Sequence, residues 1–99
     1  MEKIGITEVR QILLDVLAGY TYPCKMIECT PDDKFLKVNL RYELNMDSLD
    51  IEEMLYALDR MYGIDISDTR EYAFPDEPTV ANFIEMVNDH VAMYKRYGK

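Results

Sequence analysis

A chain of 99 residues with 48% hydrophobic side chains and only 4 Gly and 4 Pro reads as one globular domain, with a modest core and no room for a large catalytic cleft. Its 19 acidic against 11 basic side chains leave a net charge of -8, a balance that repels nucleic acid and anionic membranes and favours positively charged partners. The opening Met1-Glu2-Lys3-Ile4-Gly5 lacks an apolar signal run and no stretch is long enough to span a bilayer, so a soluble, cytoplasmic protein is expected.

The first expected helix covers about residues 8–18, capped at Thr7, with an apolar stripe of Val9, Ile12, Leu13, Val16, Leu17 and Tyr20, and ends at Gly19. From Tyr20 to Asn45 the signals conflict. Tyr22-Pro23 and Thr30-Pro31-Asp32-Asp33 mark turns or helix starts, while Lys34 to Leu40 alternates weakly like a strand. A long structured loop is expected here, with one helical turn after Pro31 or a short hairpin as its open alternatives.

A second helix is expected over residues 48–62, where Ile51, Met54, Leu55, Leu58, Met61 and Tyr62 recur at helical spacing and Gly63 closes the run. Ser67 caps a short third helix over about 68–73, stopped by Pro75. The last helix spans about 79–96, capped by Thr79, with Val80, Phe83, Ile84, Val87, Val91 and Tyr94 on its stripe and Lys95, Arg96 and Lys99 suiting its C-terminal dipole. The fold class is therefore all-α: a four-helix bundle with a short third helix and a long first loop, in one domain over residues 1–99. There are no internal repeats.

Little conventional catalytic chemistry is available. Cys24 and Cys29 have neither the spacing nor the partners of a zinc site and are expected as free thiols. His90 is the single histidine, so neither a Cys–His nor a Ser–His–Asp arrangement can be built. The acidic stretch from Asp59 to Glu71 lacks the glycine and ligand spacing of a calcium loop.

The informative segment is Met46-Asp47-Ser48-Leu49-Asp50, which sets a hydroxyl at the start of an amphipathic helix. Ser48 is the first residue of that helix or its N-cap. Unpaired backbone N–H groups and a partial positive charge make this position favourable for a phosphodiester, and equally ordinary for a serine that only caps. Advancing 100° per residue places Leu49, Glu53, Tyr56 and Arg60 opposite the core stripe, flanked by Asp47, Asp50, Glu52 and Asp59. Two readings fit this face: a docking surface for basic partners, and a solvated acidic face.

These residues resemble the acyl carrier proteins, small acidic four-helix bundles that carry 4'-phosphopantetheine on a serine. Leu44-Asn45-Met46-Asp47-Ser48-Leu49-Asp50 is similar to the family's Leu-Gly-x-Asp-Ser-Leu-Asp, and the likeness continues through Glu53, Ala57-Leu58 and Gly63-Ile64-Asp65-Ile66. Thr79-Val80 with Phe83-Ile84 resembles the start of the family's final helix, so the likeness covers about 40–91. It implies a non-enzymatic carrier with phosphopantetheine attached covalently to Ser48. Asp47 and Leu49 flank the attachment site, and Asp50, Glu52, Glu53, Tyr56, Asp59 and Arg60 lie on the partner-facing helix. The implied partners are a phosphopantetheinyl transferase and acyl-loading and acyl-processing enzymes with basic docking surfaces, met by a monomer without nucleic acid or membrane insertion.

Three departures mark this chain. Asn45 stands where the family usually has Gly, and Asn is the side chain that best tolerates a left-handed backbone. Arg60 stands where another carboxylate is common. An insertion within Tyr22 to Asn39 lengthens the first connection, which points away from housekeeping fatty-acid synthesis toward a specialised acyl, polyketide or lipid pathway. Met54, Met61 and Met86 suit either a bundle that parts around an acyl chain or plain core filling. Two other functions fit the same residues: an amino-acid or peptidyl carrier, against which Asp47 argues, and an acidic helical interaction domain in which Ser48 is never modified.

Overall fold

The computed structural model describes residues 3–64 and 77–97, with side chains described to residue 92 in the last helix. These residues are mainly helical and form no strand: α1 Ile6–Val16, α2 Thr21–Cys29, α3 Asp32–Phe35, α4 Ser48–Tyr62 and α5 Val80–Tyr97. The all-α expectation therefore holds. The third helix expected over 68–73, and the side chains of Tyr94, Lys95, Arg96 and Lys99, lie outside the described residues. No helix of the described residues is long and apolar enough to cross a membrane.

Helix α1 starts earlier than expected, with Gly5 rather than Thr7 as its N-cap. Glu8 supports the earlier start, its Oε1 accepting the N–H of the N-cap Gly5 at 2.8 Å and tying the cap back onto the first turn. The helix ends at Val16 with Leu17 as C-cap, ahead of Gly19, and Tyr20 faces solvent instead of extending the stripe. Val9, Ile12 and Leu13 are buried, and α1 packs against α2, α4 and α5.

The long first loop is a correction. It carries a nine-residue helix, α2, followed by the single turn α3 after Pro31; no hairpin forms. Pro23 does not break α2 because it is the helix's third residue, where a backbone N–H has no acceptor one turn back. This segment gives Ile27, Phe35, Val38 and Leu40 to the core. Arg10 of α1 anchors it: the guanidinium donates to the Ile27 carbonyl, to the Thr30 carbonyl at 2.6 Å and to Asp32 Oδ1 at 2.8 Å, and lies 4.3 Å from the centroid of the Phe35 ring.

The weak alternation read at Lys34 to Leu40 ends in an isolated bridge between Asn39 and Thr79. There the loop caps α5: Val38 O accepts the Val80 N–H at 3.0 Å, Leu36 O accepts the Ala81 N–H at 3.0 Å, and Thr79 Oγ1 accepts the Asn82 N–H at 3.2 Å. Thr79 is thus the expected cap, helped by two carbonyls that no local pattern announces. At the other end of the chain, Asn88 grips Ile4 with both halves of its amide, Oδ1 accepting the Ile4 N–H at 2.9 Å and Nδ2 donating to the Ile4 carbonyl at 3.0 Å. On α4 the buried residues are Ile51, Met54, Leu55, Ala57 and Leu58. Met61, expected in the core, is 39% exposed because it sits in the last turn at the edge of the stripe.

Tyr62 is half-buried beside Glu8, and its phenol is raised above the ordinary 10.0, first by burial and then by the Glu8 carboxylate. The folded chain resists forming the phenolate, so this group leaves stability untouched below the ordinary phenol range and subtracts from it as pH rises through about 10. Tyr62→Phe is expected to reduce the alkaline fall in Tm and to leave Tm at neutral pH close to wild type, a comparison thermal melts across pH provide. For the anchor, Arg10→Ala is expected to cost about 1.5 to 3 kcal/mol in urea unfolding, the range for hydrogen bonds to a charged group, with Arg10→Lys recovering only part because an ammonium cannot reproduce the fork.

Candidate functional site

The start of α4 is built by the residues before it. Asn39 Oδ1 accepts the backbone N–H groups of Arg41 and Tyr42, both at 2.9 Å, and tightens the turn that leads toward the helix. The Met46 N–H reaches back to the Leu40 carbonyl at 3.1 Å. Asn45 then takes a left-handed conformation, φ 57°, the requirement anticipated for an Asn in place of Gly. Met46 and Ile51 are buried at the N′ and N4 positions of a hydrophobic staple, which sets the angle at which the chain joins the helix.

Asp47, not Ser48, is the N-cap. Its Oδ1 accepts the Asp50 N–H at 2.9 Å, and Asp50 Oδ2 accepts the Asp47 N–H at 3.2 Å, a reciprocal capping box. Ser48 is the first helical residue and is exposed. Among the described residues no group hydrogen-bonds its hydroxyl, and the backbone N–H groups of Ser48 and Leu49 have no acceptor. At the far end, Gly63 closes α4 at φ 70°, its N–H on the Asp59 carbonyl at 2.8 Å.

The outward face is as the helical wheel draws it. Leu49 is 66% and Tyr56 71% exposed, and Asp47, Glu52, Glu53, Asp59 and Arg60 are exposed around them while Asp50 is half-buried. Two further features escape the sequence reading, one on the turn before α4 and one against its last turns. Tyr42, 85% exposed on the Asn39 turn, was legible in principle from the Asn that nucleates that turn. Asp15 of α1, whose Oδ2 lies 2.5 Å from Arg60 Nη2, was not, because the pairing exists only once α1 and α4 pack together.

The remaining chemistry-bearing groups are carried by other helices, the two cysteines by α2 and His90 by α5. Cys24 Sγ donates to the Leu17 carbonyl at 3.1 Å, Cys29 is exposed, and both are free thiols. His90 is half-buried on α5. No group of three His, Cys, Asp or Glu side chains among the described residues is arranged to hold a metal ion. What α4 offers is a hydroxyl without a hydrogen-bond partner among the described residues, amides of a helix N-terminus around it that likewise have no acceptor there, and carboxylates and two large apolar side chains beside it.

Two pairs of substitutions separate these roles by chemical denaturation. Asp47→Ala is expected to cost about 1 kcal/mol through loss of the cap, and Ser48→Ala less than about 0.5. Tyr56→Ala is expected to stay within about 0.5 kcal/mol while Leu58→Ala, emptying a buried site, costs roughly 2 to 5. No family model, no curated protein and no solved structure matches the chain.

Proposed function

We propose that this protein is an acyl carrier that bears 4'-phosphopantetheine on Ser48 and serves a specialised acyl, polyketide or lipid pathway. The observation that carries the reading is the division of labour at the start of α4. A serine that merely capped the helix would have its hydroxyl on the first-turn amides; here Asp47 does that work and Ser48 is exposed, with no hydrogen-bond partner among the described residues. The residues fit the group on the same grounds. A phosphodiester on Ser48 Oγ has the unpaired N–H groups of Ser48 and Leu49 and the positive end of α4 to favour it.

In loading, the Ser48 hydroxyl displaces 3',5'-ADP from coenzyme A and gives up its proton as the phosphodiester forms, a reaction the transferase catalyses. The attached group supplies a terminal thiol that holds an acyl chain as a thioester. This chain's own part is to present and to be recognised: the Asp47–Asp50 box holds the helix start rigid, and exposed Leu49 and Tyr56 among carboxylates give basic enzymes a surface to meet briefly and quickly. In this reading α1, α4, the helix expected at 68–73 and α5 are the carrier's four helices, and α2–α3 is an insertion between the first and second.

Intact mass after incubation with coenzyme A, magnesium and a broad-specificity phosphopantetheinyl transferase tests the proposal. The expected result is one phosphopantetheine on the wild type and none on Ser48→Ala, with both proteins equally folded. A wild type that stays at its apo mass with several transferases would identify the chain instead as an unmodified acidic interaction domain.

A further inference from the structure

The chain reaches Ser48 through a turn that one residue ties together. Every backbone N–H from Arg41 to Leu44 ends on Asn39: its Oδ1 accepts those of Arg41 and Tyr42, both at 2.9 Å, and its carbonyl those of Glu43 at 2.9 Å and Leu44 at 3.3 Å. The N–H of Asn39 donates in turn to Glu43 Oε1 at 2.8 Å. The residues on either side fasten Asn39 to the start of α5, since Val38 O accepts the Val80 N–H at 3.0 Å and the Leu40 N–H donates to Pro78 O at 2.8 Å. Leu40 O then closes the turn by accepting the Met46 N–H at 3.1 Å, with Leu40, Leu44 and Met46 all buried. Asn39 is thus the point at which the entrance of α4 is referred to the entrance of α5.

The two bonds from the Asn39 side chain contribute little to overall stability. Both are exposed, and water answers an exposed N–H nearly as well as a side chain does. What water does not supply is direction: without Oδ1 the Arg41 and Tyr42 amides have no fixed acceptor, and the closure from Leu40 to Met46 loses its brace. Met46 stands just ahead of the cap and packs as a staple with Ile51, so looseness in the turn passes to the angle at which Ser48 is presented. We infer that Asn39 is a positioning residue for the reaction at Ser48, raising the fraction of molecules whose serine already stands where a transferase needs it. That role rests on the carrier reading of Ser48; the geometry of the turn does not. Pre-organisation of this kind changes apparent affinity in proportion to the competent fraction and leaves the chemistry of the bound state alone.

Loading kinetics with coenzyme A, magnesium and a broad-specificity phosphopantetheinyl transferase, taken well below the melting temperature, test the role. Asn39→Ala is expected to raise the KM for the protein roughly five- to tenfold, the scale of one net hydrogen bond, with kcat unchanged. Asn39→Asp, which keeps an acceptor oxygen in the same place, is expected to recover most of that loss. Asn88→Ala is the control for stability alone: it removes an amide that also makes two backbone bonds, both to Ile4, and is expected to leave KM at the wild-type value. Amide hydrogen exchange on the apo proteins reads the geometry without a transferase. In Asn39→Ala the Met46 N–H is expected to exchange several-fold faster, while the Ile51 N–H, bonded to Asp47 O within the capped helix, keeps its protection. A KM that does not move, one that moves equally in Asn88→Ala, or unaltered exchange at Met46 overturns Asn39 as a positioning residue while loading itself leaves the carrier reading standing. If no transferase loads the wild type, the carrier reading falls, and exchange at Met46 alone decides whether Asn39 positions the start of α4.

Discussion

A connection that gives side chains to a core must also satisfy its own backbone, and in this molecule one guanidinium does most of that work. The segment between α1 and α4 buries Ile27, Phe35, Val38 and Leu40, which brings the end of α2 and its orphan carbonyls against α1. Burying such carbonyls without donors is costly. Arg10 reaches two of them, at Ile27 and Thr30, pairs with Asp32 at the first turn of α3, and covers Phe35 with its planar face. A lysine carries its three donors on a single nitrogen and has no planar face to lay over Phe35, so it could not reproduce contacts that the guanidinium makes from two separate nitrogens. Once α2 and α3 are held, Val38 and Leu36 lie where their carbonyls cap α5, and the turn at Asn39 lies where it delivers the chain to α4. The site at Ser48 is thus downstream of an anchor on a different helix.

At the site itself, the sequence Asp-Ser-Leu-Asp spreads two jobs over four residues. Short polar side chains compete for the orphan donors of a helix start, and an isolated serine there would normally be drawn inward. Asp47 and Asp50 occupy each other's backbone donors first. The consequence is a hydroxyl that, among the described residues, has no partner to give up before it can react or bind, beside amides that likewise have no acceptor there.

The long periodic elements were legible in the sequence because an amphipathic stripe over three or more turns leaves little choice: α1, α4 and α5 fall where their stripes put them, and Leu49 and Tyr56 face outward as the wheel requires. Asn45 was legible for a different reason, the left-handed backbone that its type tolerates. Two of the misses, the Tyr20 to Asn45 segment and the partner of Arg60, share a cause in tertiary contact. Nothing local to Tyr20 to Asn45 reports that Arg10 will accept the end of α2, so a nine-residue helix beginning near a proline looked like a loop. Ser48 and Asp47 are both good caps, and only the reciprocal bonds with Asp50 choose between them. Asp15 was invisible as Arg60's partner because the two lie 45 residues apart.

The amide of Asn88 holding both backbone groups of Ile4 joins residues 84 apart, and this sets a clock on folding. Closing so long a loop is entropically late, and contacts of high sequence separation slow the search for the native state. Before α5 is in place the segment ahead of α1 has the local bond from the Gly5 N–H to Glu8, while both backbone groups of Ile4 still lack the Asn88 amide that they meet in the folded chain. The latch between Ile4 and Asn88 therefore cannot close in a chain that lacks the last helix, and truncation of α5 ahead of Asn88 unfastens the start of α1 as well as its own end.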